Sequence, residues 1–407
     1  MADEDYTATV GFLHLVRAIN NNPEDGTGIK NLIDFSHNAM GPLIPQVLVD
    51  KLITLQINLF GDYAKKADIA PSIVFCVVFF VIAICHLVIF LINFSRGHYF
   101  YISIGLVIYS MMRIVGFALR AVWAEDVTRI GVGLTSEILS IVPSIIIVSL
   151  NLILAQRLFT WRHPVGGTRM LFNSFMFGTY FFVLVVLAIT VTAAFVPYLH
   201  YLSSQAYESW KKVNMATSIL VILYSLTSIS LIGLSYWAPT KKDERLYTYQ
   251  PWWIDSFRPF YFVKPGAAAE AEETFMKRNH NHRHAVRVIA ATHHNFNMVE
   301  GLTNQRGDLK HNKSIMILVV STLFIFIGAL GRSISIFQNR QQKYSSGICN
   351  YVAMYIIWGA LEAIINILYI VGRIDLRFYR PDILPQKVRS IITAEQTYYP
   401  SEEEDEE

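Results

Sequence analysis

GICNYVAMYIIWGALEAIINILYIVGR (Gly347–Arg373) is an almost unbroken apolar run. At about 1.5 Å per residue it is long enough for a helix to cross the roughly 30 Å hydrocarbon core of a bilayer. Within it Tyr351, Tyr355, Trp358, Glu362, Asn366, Tyr369 and Arg373 recur at three- and four-residue steps. That spacing lines them up as one stripe down a helix. The opposite side reads Val352, Ile356, Ile357, Ala360, Ile364, Ile365 and Leu368 and is expected to face hydrocarbon. A carboxylate near mid-membrane costs about 2.5 kcal/mol or more, so Glu362 is expected to face the bundle interior with a partner or a task.

The rest of the chain supports a membrane reading. Of 407 residues, 53% are hydrophobic and only 16% charged, and mean hydropathy is +0.37. Soluble domains run at about 25% charged. A net charge of +3 with no basic block gives no reason to expect nucleic-acid binding. Three cysteines, Cys76, Cys85 and Cys349, offer neither a CxxC pair nor a disulfide framework. The acidic start MADEDYTATV lacks the apolar core of a signal peptide, so the first span is expected to serve as its own insertion signal.

Seven runs have spanning length: 70–93, 101–123, 134–157, 171–196, 216–237, 314–337 and 349–371. The fold class is therefore all-α, a polytopic membrane bundle of about seven transmembrane helices. Residues 1–69 form an amphipathic N-terminal region, with helical spacing over Gly11–Ile19 and Leu43–Phe60 around a turn-like NNPEDGTG. Residues 70–238 hold spans one to five, 239–313 a loop, 314–372 spans six and seven, and 373–407 a tail ending in SEEEDEE. Arg157, Arg162 and Arg169 load one set of short loops against Arg129 on the other, although Lys65, Lys66, Arg340 and Lys343 dilute the bias. The positive-inside rule then puts the N-terminus outside or lumenal and both the 239–313 loop and the tail in the cytosol. The expected location is the endoplasmic reticulum or the plasma membrane. His280, His284, His293 and His294 lie in the loop without a cysteine or a clear carboxylate to complete a metal site, and no metal is expected.

Besides His86 deep in the first span, two acids and three arginines stand in the spans where hydrocarbon should reject them. Arg113 lies near mid-depth of the second span and Arg120 one heptad on. Glu137 opens the third span, with Ser140, Ser144 and Asn151 on its stripe, and Arg332 closes the sixth. Arg120 and Arg332 could snorkel to headgroups, with Glu137 neutralising one of them. Arg113 and Glu362 lie too deep for that. Paired, they would make an ionised structural clamp or an anion-linked site; apart, a Glu362 walled by rings would be protonated and able to act as an acid.

Four stretches, SMMRIVGFALRAVWA (Ser110–Ala124), NLILAQR (Asn151–Arg157), GALGRSISIF (Gly328–Phe337) and EAIINILYIVGRIDLRFYRPD (Glu362–Asp382), resemble a family of fungal seven-span proteins of mostly unknown function. That family carries a family-C-like G-protein-coupled-receptor label and is in turn similar to membrane-bound terpene cyclases of fungal meroterpenoid clusters. The resemblance implies a seven-span fold and an acid-initiated cyclisation of an epoxidised farnesyl chain, an isomerase reaction without a cofactor. The implied partners are a lipophilic prenylated substrate and the surrounding lipid. The receptor label meets no E/DRY-like triplet, no NPxxY, no proline in span six and no outer cysteine pair. Cyclisation needs an acid, a dry pocket and aromatic faces, each worth about 0.5–2 kcal/mol to a passing cation. Glu362 is the preferred acid and Glu137 the second candidate. Trp358, Tyr355 and Tyr369 would line the cation path, Asn366 would contact substrate, and Arg113 would orient an acidic group on it. The alternative is an orphan receptor-like seven-helix membrane protein with no catalytic activity. Transport ranks last, because Pro143 could break one span but has no counterpart in a second half. The enzyme reading fails if Glu362 faces lipid, or is locked onto a guanidinium with no cavity beside it.

Overall fold

A computed structural model describes residues 7–162, 169–238, 260–262, 265 and 311–379. The histidines of the 239–313 loop and the acidic tail lie outside the described residues. The protein is an all-α, multi-pass membrane bundle with seven helices long and apolar enough to cross a bilayer. These are α4 (Ile69–Ser95), α5 (Ile102–Glu125), α6 (Ile130–Arg162), α7 (Arg169–Leu199), α8 (Ser204–Trp237), α9 (His311–Gln338) and α10 (Tyr351–Val371). Three short amphipathic helices precede them: α1 (Ala8–Ile19), α2 (Ile29–Met40) and α3 (Gln46–Leu55). Successive spans pack side by side, and α10 closes the ring against α4 and α9. On α4, Ile73, Val74, Val77, Phe80, Val81 and Ile84 turn outward, as lipid-facing side chains should.

The N-terminal region forms a cap on one end of the bundle, and its course differs from the expected one. The second helix is shorter than Leu43–Phe60, because the chain leaves helical geometry at Gln56 and pairs with the α9–α10 loop. Gln342 N donates to Gln56 O at 2.7 Å, and Asn58 N donates to Arg340 O at 2.9 Å. Helix α2 has no counterpart in the sequence reading; its polar face dilutes the pattern, yet Ile29, Leu32, Ile33 and Ser36 are buried at helical spacing. Gly28 opens α2 at φ 70°, donates to Pro197 O at 2.8 Å, and would drive a Cβ to 2.5 Å from the Tyr201 ring. Only glycine combines that φ with so close an approach.

Helix α6 runs unbroken through Pro143. Proline leaves the carbonyl four residues back, Leu139 O, without its helical donor. That carbonyl turns to α5, where a Cβ on Gly116 would stand 3.2 Å from it, while Ser136 Oγ donates to Gly116 O at 2.9 Å. The close α5–α6 approach brings the arginines of one helix onto the carboxylate and hydroxyls of the other.

Helix α10 keeps the predicted stripe inside. Tyr355, Trp358, Glu362, Asn366, Tyr369 and Arg373 are all buried, while Val352, Ile356 and Ile364 are exposed. Ile357 and Ile365 depart from expectation: both are buried, because α10 is flanked by α9 as well as α4 and shows less of its surface to lipid. Between Tyr355 and Leu361 the helix widens into a π-turn that includes Gly359, whose Cβ would meet the Phe75 ring at 2.7 Å.

Candidate functional site

Two buried charge clusters and a pair of cavities occupy the half of the bundle under the cap. The deeper cluster forms around Glu362, the first residue of regular helix after the π-turn. Arg113 of α5 donates from Nε at 2.8 Å to Oε2, with Nη2 2.5 Å from the same oxygen. Nη2 also reaches Ser144 Oγ at 2.7 Å, and Ser144 donates to Oε1 at 2.8 Å. The Tyr109 hydroxyl donates to Oε2. Each of these groups offers a hydrogen, so the carboxylate is arranged as an acceptor on both oxygens. The clamp anticipated as one of two cases is the one present.

The upper cluster centres on Arg120, 1% exposed. Its Nε lies 3.1 Å from Asp68 Oδ1, its Nη1 2.9 Å from Glu137 Oε1, and its Nη2 2.5 Å from Gly61 O. Arg120 thus ties the cap, the start of α4, α5 and α6 together rather than snorkelling. Asp68 escapes the sequence reading because it precedes the apolar run of α4; its signal is an acid at the mouth of a span that faces Arg120. Tyr109 is missed as well, although it stands four residues before Arg113 on the same face.

Arg332 of α9 differs from the other two arginines. Among the described residues it forms no ion pair and no hydrogen bond, yet it lines both cavities and has Glu137 and Tyr198 within electrostatic reach. The upper cavity, about 70 Å³, lies between Phe60, Glu137, Phe195, Tyr198, Asn214 and Trp358. The lower, about 30 Å³, descends between α6, α8 and α9 to Ser144 and Glu362. Ile141, Arg332 and Trp358 border both. Trp358 packs edge-on against Phe60 of the cap at 4.7 Å and lies 5.8 Å from the Arg113 guanidinium. Glu137 Oε2 makes no hydrogen bond among the described residues, and this residue too borders the upper cavity.

The other expected site residues are drawn elsewhere. Tyr355 faces α4, its hydroxyl 2.5 Å from Ser72 Oγ and donating to Asp68 O at 3.1 Å, its ring stacked on Phe75. Tyr369 donates to Asn151 Oδ1 at 3.3 Å, nearer the opposite end. Asn366 donates to Glu362 O at 2.8 Å and meets His86 Nε2 at 3.3 Å. Of the three aromatics expected around one path, Trp358 alone borders the cavities, because the π-turn swings Tyr355 away from the side that Trp358 takes.

Polar contacts continue to the far end of α10. Asn151 donates to Thr322 Oγ1 at 2.7 Å and accepts from Ser321 at 3.2 Å. Arg373, in the left-handed region at φ 51°, grips Asp375 with Nε at 2.9 Å and Nη2 at 2.5 Å. Asn93 donates to the same carboxylate at 2.6 Å, and His98 Nε2 lies 2.8 Å from Asp375 O. A non-glycine residue rarely takes that backbone geometry; here the two-pronged grip on Asp375 holds it. Burial pushes the His98 imidazole down from 6.5 to about 4.

No curated protein and no solved structure matches the chain. A family match covers residues 164–379, which carry Arg332, Trp358 and Glu362 and leave Asp68, Arg113, Arg120 and Glu137 ahead of it. On that match, more than half of the 407 residues, the chain belongs to the family described as protein of unknown function (DUF3112).

Proposed function

We propose that this protein is a receptor-like seven-helix membrane protein that takes a small, largely apolar molecule beneath its N-terminal cap. The observation that carries the reading is the pair of cavities meeting at Arg332 and Trp358, closed above by Phe60 and reaching Glu362 below. Coupling between two ends of a bundle travels through contiguous contacts that have two arrangements. The buried polar stripe of α10 supplies contiguity from Glu362 toward Asp375. The π-turn, a register defect of a kind frequent at functional sites, stands between stripe and cavity.

The cyclase implied by resemblance needs an acid with a proton to give and room for a folded farnesyl chain. Glu362 accepts from Tyr109, Arg113 and Ser144, and the cavities of about 30 and 70 Å³ are smaller than the roughly 150 Å³ that accommodates benzene. One observation favours a second, enzymatic reading: Glu137, the other candidate acid, borders the upper cavity beside the rings of Phe60, Phe195 and Trp358. Both readings require the cavities to open further when a molecule enters, the cyclase reading by far more, to take a whole farnesyl chain.

Photolabelling of the purified protein in nanodiscs with a short aliphatic diazirine tests the proposal. Saturable labelling of Ile141, Ile145, Phe324 or Ile325, displaced by excess unlabelled analogue, is the expected result. Labelling that never saturates and stays on the outward-facing Phe175, Phe177 and Phe181 would refute it. An epoxy-farnesyl phenol converted to a product of unchanged mass would transfer the site to the cyclase reading.

A further inference from the structure

The upper half of the bundle holds three arginines and three acids: Arg113, Arg120 and Arg332 against Asp68, Glu137 and Glu362. The formal charges cancel. Two groups in this balanced set have unused bonding capacity among the described residues and border the same cavity: the Arg332 guanidinium on α9 and Glu137 Oε2 on α6. Arg113 Nη1 is also without a hydrogen-bond partner, but its guanidinium is already neutralised by Glu362 and lines neither cavity. Arg332 and Glu137 are not within ion-pair distance of one another, whereas the other four groups are all directly paired. A guanidinium without a partner in a low-dielectric setting attracts an anion strongly. An anion entering alone would leave the cluster with a net charge buried in hydrocarbon, which is expensive.

Resting on the ligand-binding reading above, we infer that the ligand is a monocarboxylic acid that brings its own proton. The acid's O–H bond breaks and an O–H bond forms on Glu137 Oε2. The resulting carboxylate pairs with Arg332, and the alkyl chain points past Trp358 and Ile141 into the apolar lower cavity. The cluster stays neutral, and no other reactant is required. The groups that face Glu137 are Arg120 on α5, Asp68 at the start of α4, Arg332 on α9, Tyr198 on α7 and Tyr63 in the cap. Tyr355 on α10 acts on it through Arg120. Helix α8 contributes the uncharged Asn214.

The test uses the full chain in nanodiscs, with propionate as a short-chain acid that suits the small cavities and propionamide as a neutral isostere. Thermal unfolding reads binding, and a pH electrode in weak buffer reads proton uptake. Propionate should raise the unfolding temperature saturably and take up one proton per molecule bound. Apparent affinity should fall about tenfold per pH unit while Glu137 is ionised in the free protein. Glu137→Gln should keep binding but lose the proton uptake and the pH dependence, and Arg332→Gln should lose binding. If Arg332→Gln does not fold, Ala194→Leu, which fills the upper cavity without removing a charge, should abolish binding instead. Propionamide binding as well as propionate, or acid binding without proton uptake, overturns the acid proposal and leaves the cavity reading intact. No binding of any probe, with Ala194→Leu indistinguishable from the parent, overturns both.

Discussion

If the Arg113–Glu362 pair is a clamp, breaking it from one side must damage the bundle far more than removing it whole. Both side chains are nearly inaccessible, 1% and 7% exposed. Glu362→Gln leaves a buried guanidinium without its counter-charge, and Arg113→Met leaves a carboxylate held only by Tyr109 and Ser144. Each single change is expected to cost about 3–5 kcal/mol. In the double variant the amide oxygen at position 362 can accept from one of the two hydroxyls and its NH2 can donate to the oxygen of the other, while the methionine fills the space of the arginine stem, so its cost is nearer one lost hydrogen bond, about 1 kcal/mol. Taken at these costs, the double-mutant coupling should be about 5 kcal/mol or more. Equilibrium unfolding in mixed detergent micelles, titrated with SDS and followed by circular dichroism, measures all four proteins on one scale. Additivity of the two single changes within about 0.5 kcal/mol would mean that the charges do not hold the helices together. The Arg113–Glu362 contact would then not be a structural clamp.

Other perturbations follow from the same geometry. Gly133→Ala drives a Cβ into the Trp123 ring, an overlap that must move α5 from α6, so a loss of about 1–3 kcal/mol is expected in the same unfolding assay. Phe60→Ala removes the edge-on contact between cap and Trp358; hydrogen exchange of the Leu59–Ala64 amides should accelerate while those of α4 stay protected, and unchanged exchange would place the cap's anchor elsewhere. His98 stays neutral in the folded chain down to about pH 4, whereas the unfolded chain protonates it below about 6.5. Stability is thus fully present above pH 6.5 and lost as pH falls, by about 1.4 kcal/mol per unit toward pH 4. His98→Gln should flatten that part of the profile, and a slope unchanged by the substitution would assign it to another group.

Much of this is legible in one dimension, and the reasons for the remainder are physical. Hydrocarbon imposes a length and a polarity on any span, so seven runs and a buried stripe from Tyr355 to Arg373 can be read from spacing alone, and the same argument singles out Arg113, Glu137 and Glu362. Partnership cannot be read, because it depends on how closely two helices approach. Arg113 meets Glu362 across 249 positions of chain, and Ser144 joins them from α6, which packs closely on α5 at Gly116. Asp68 lies at the end of the N-terminal region, past its amphipathic stretches and ahead of the first span, yet its carboxylate completes the charge balance and leaves Arg332 as the arginine without a direct partner among the described residues. The stripe itself misleads at one point: a period of 3.6 puts Tyr355, Trp358 and Tyr369 around a common path, but the π-turn at Tyr355–Leu361 changes the local period. No residue pattern in that heptad announces the wider turn. The close stacking of Phe75 on the Gly359 side favours it, and that contact exists only once α4 and α10 have met. Tyr355 thus leaves the expected path at this turn, while Tyr369 lies away from it on Asn151 and Arg113 takes the place beside Glu362.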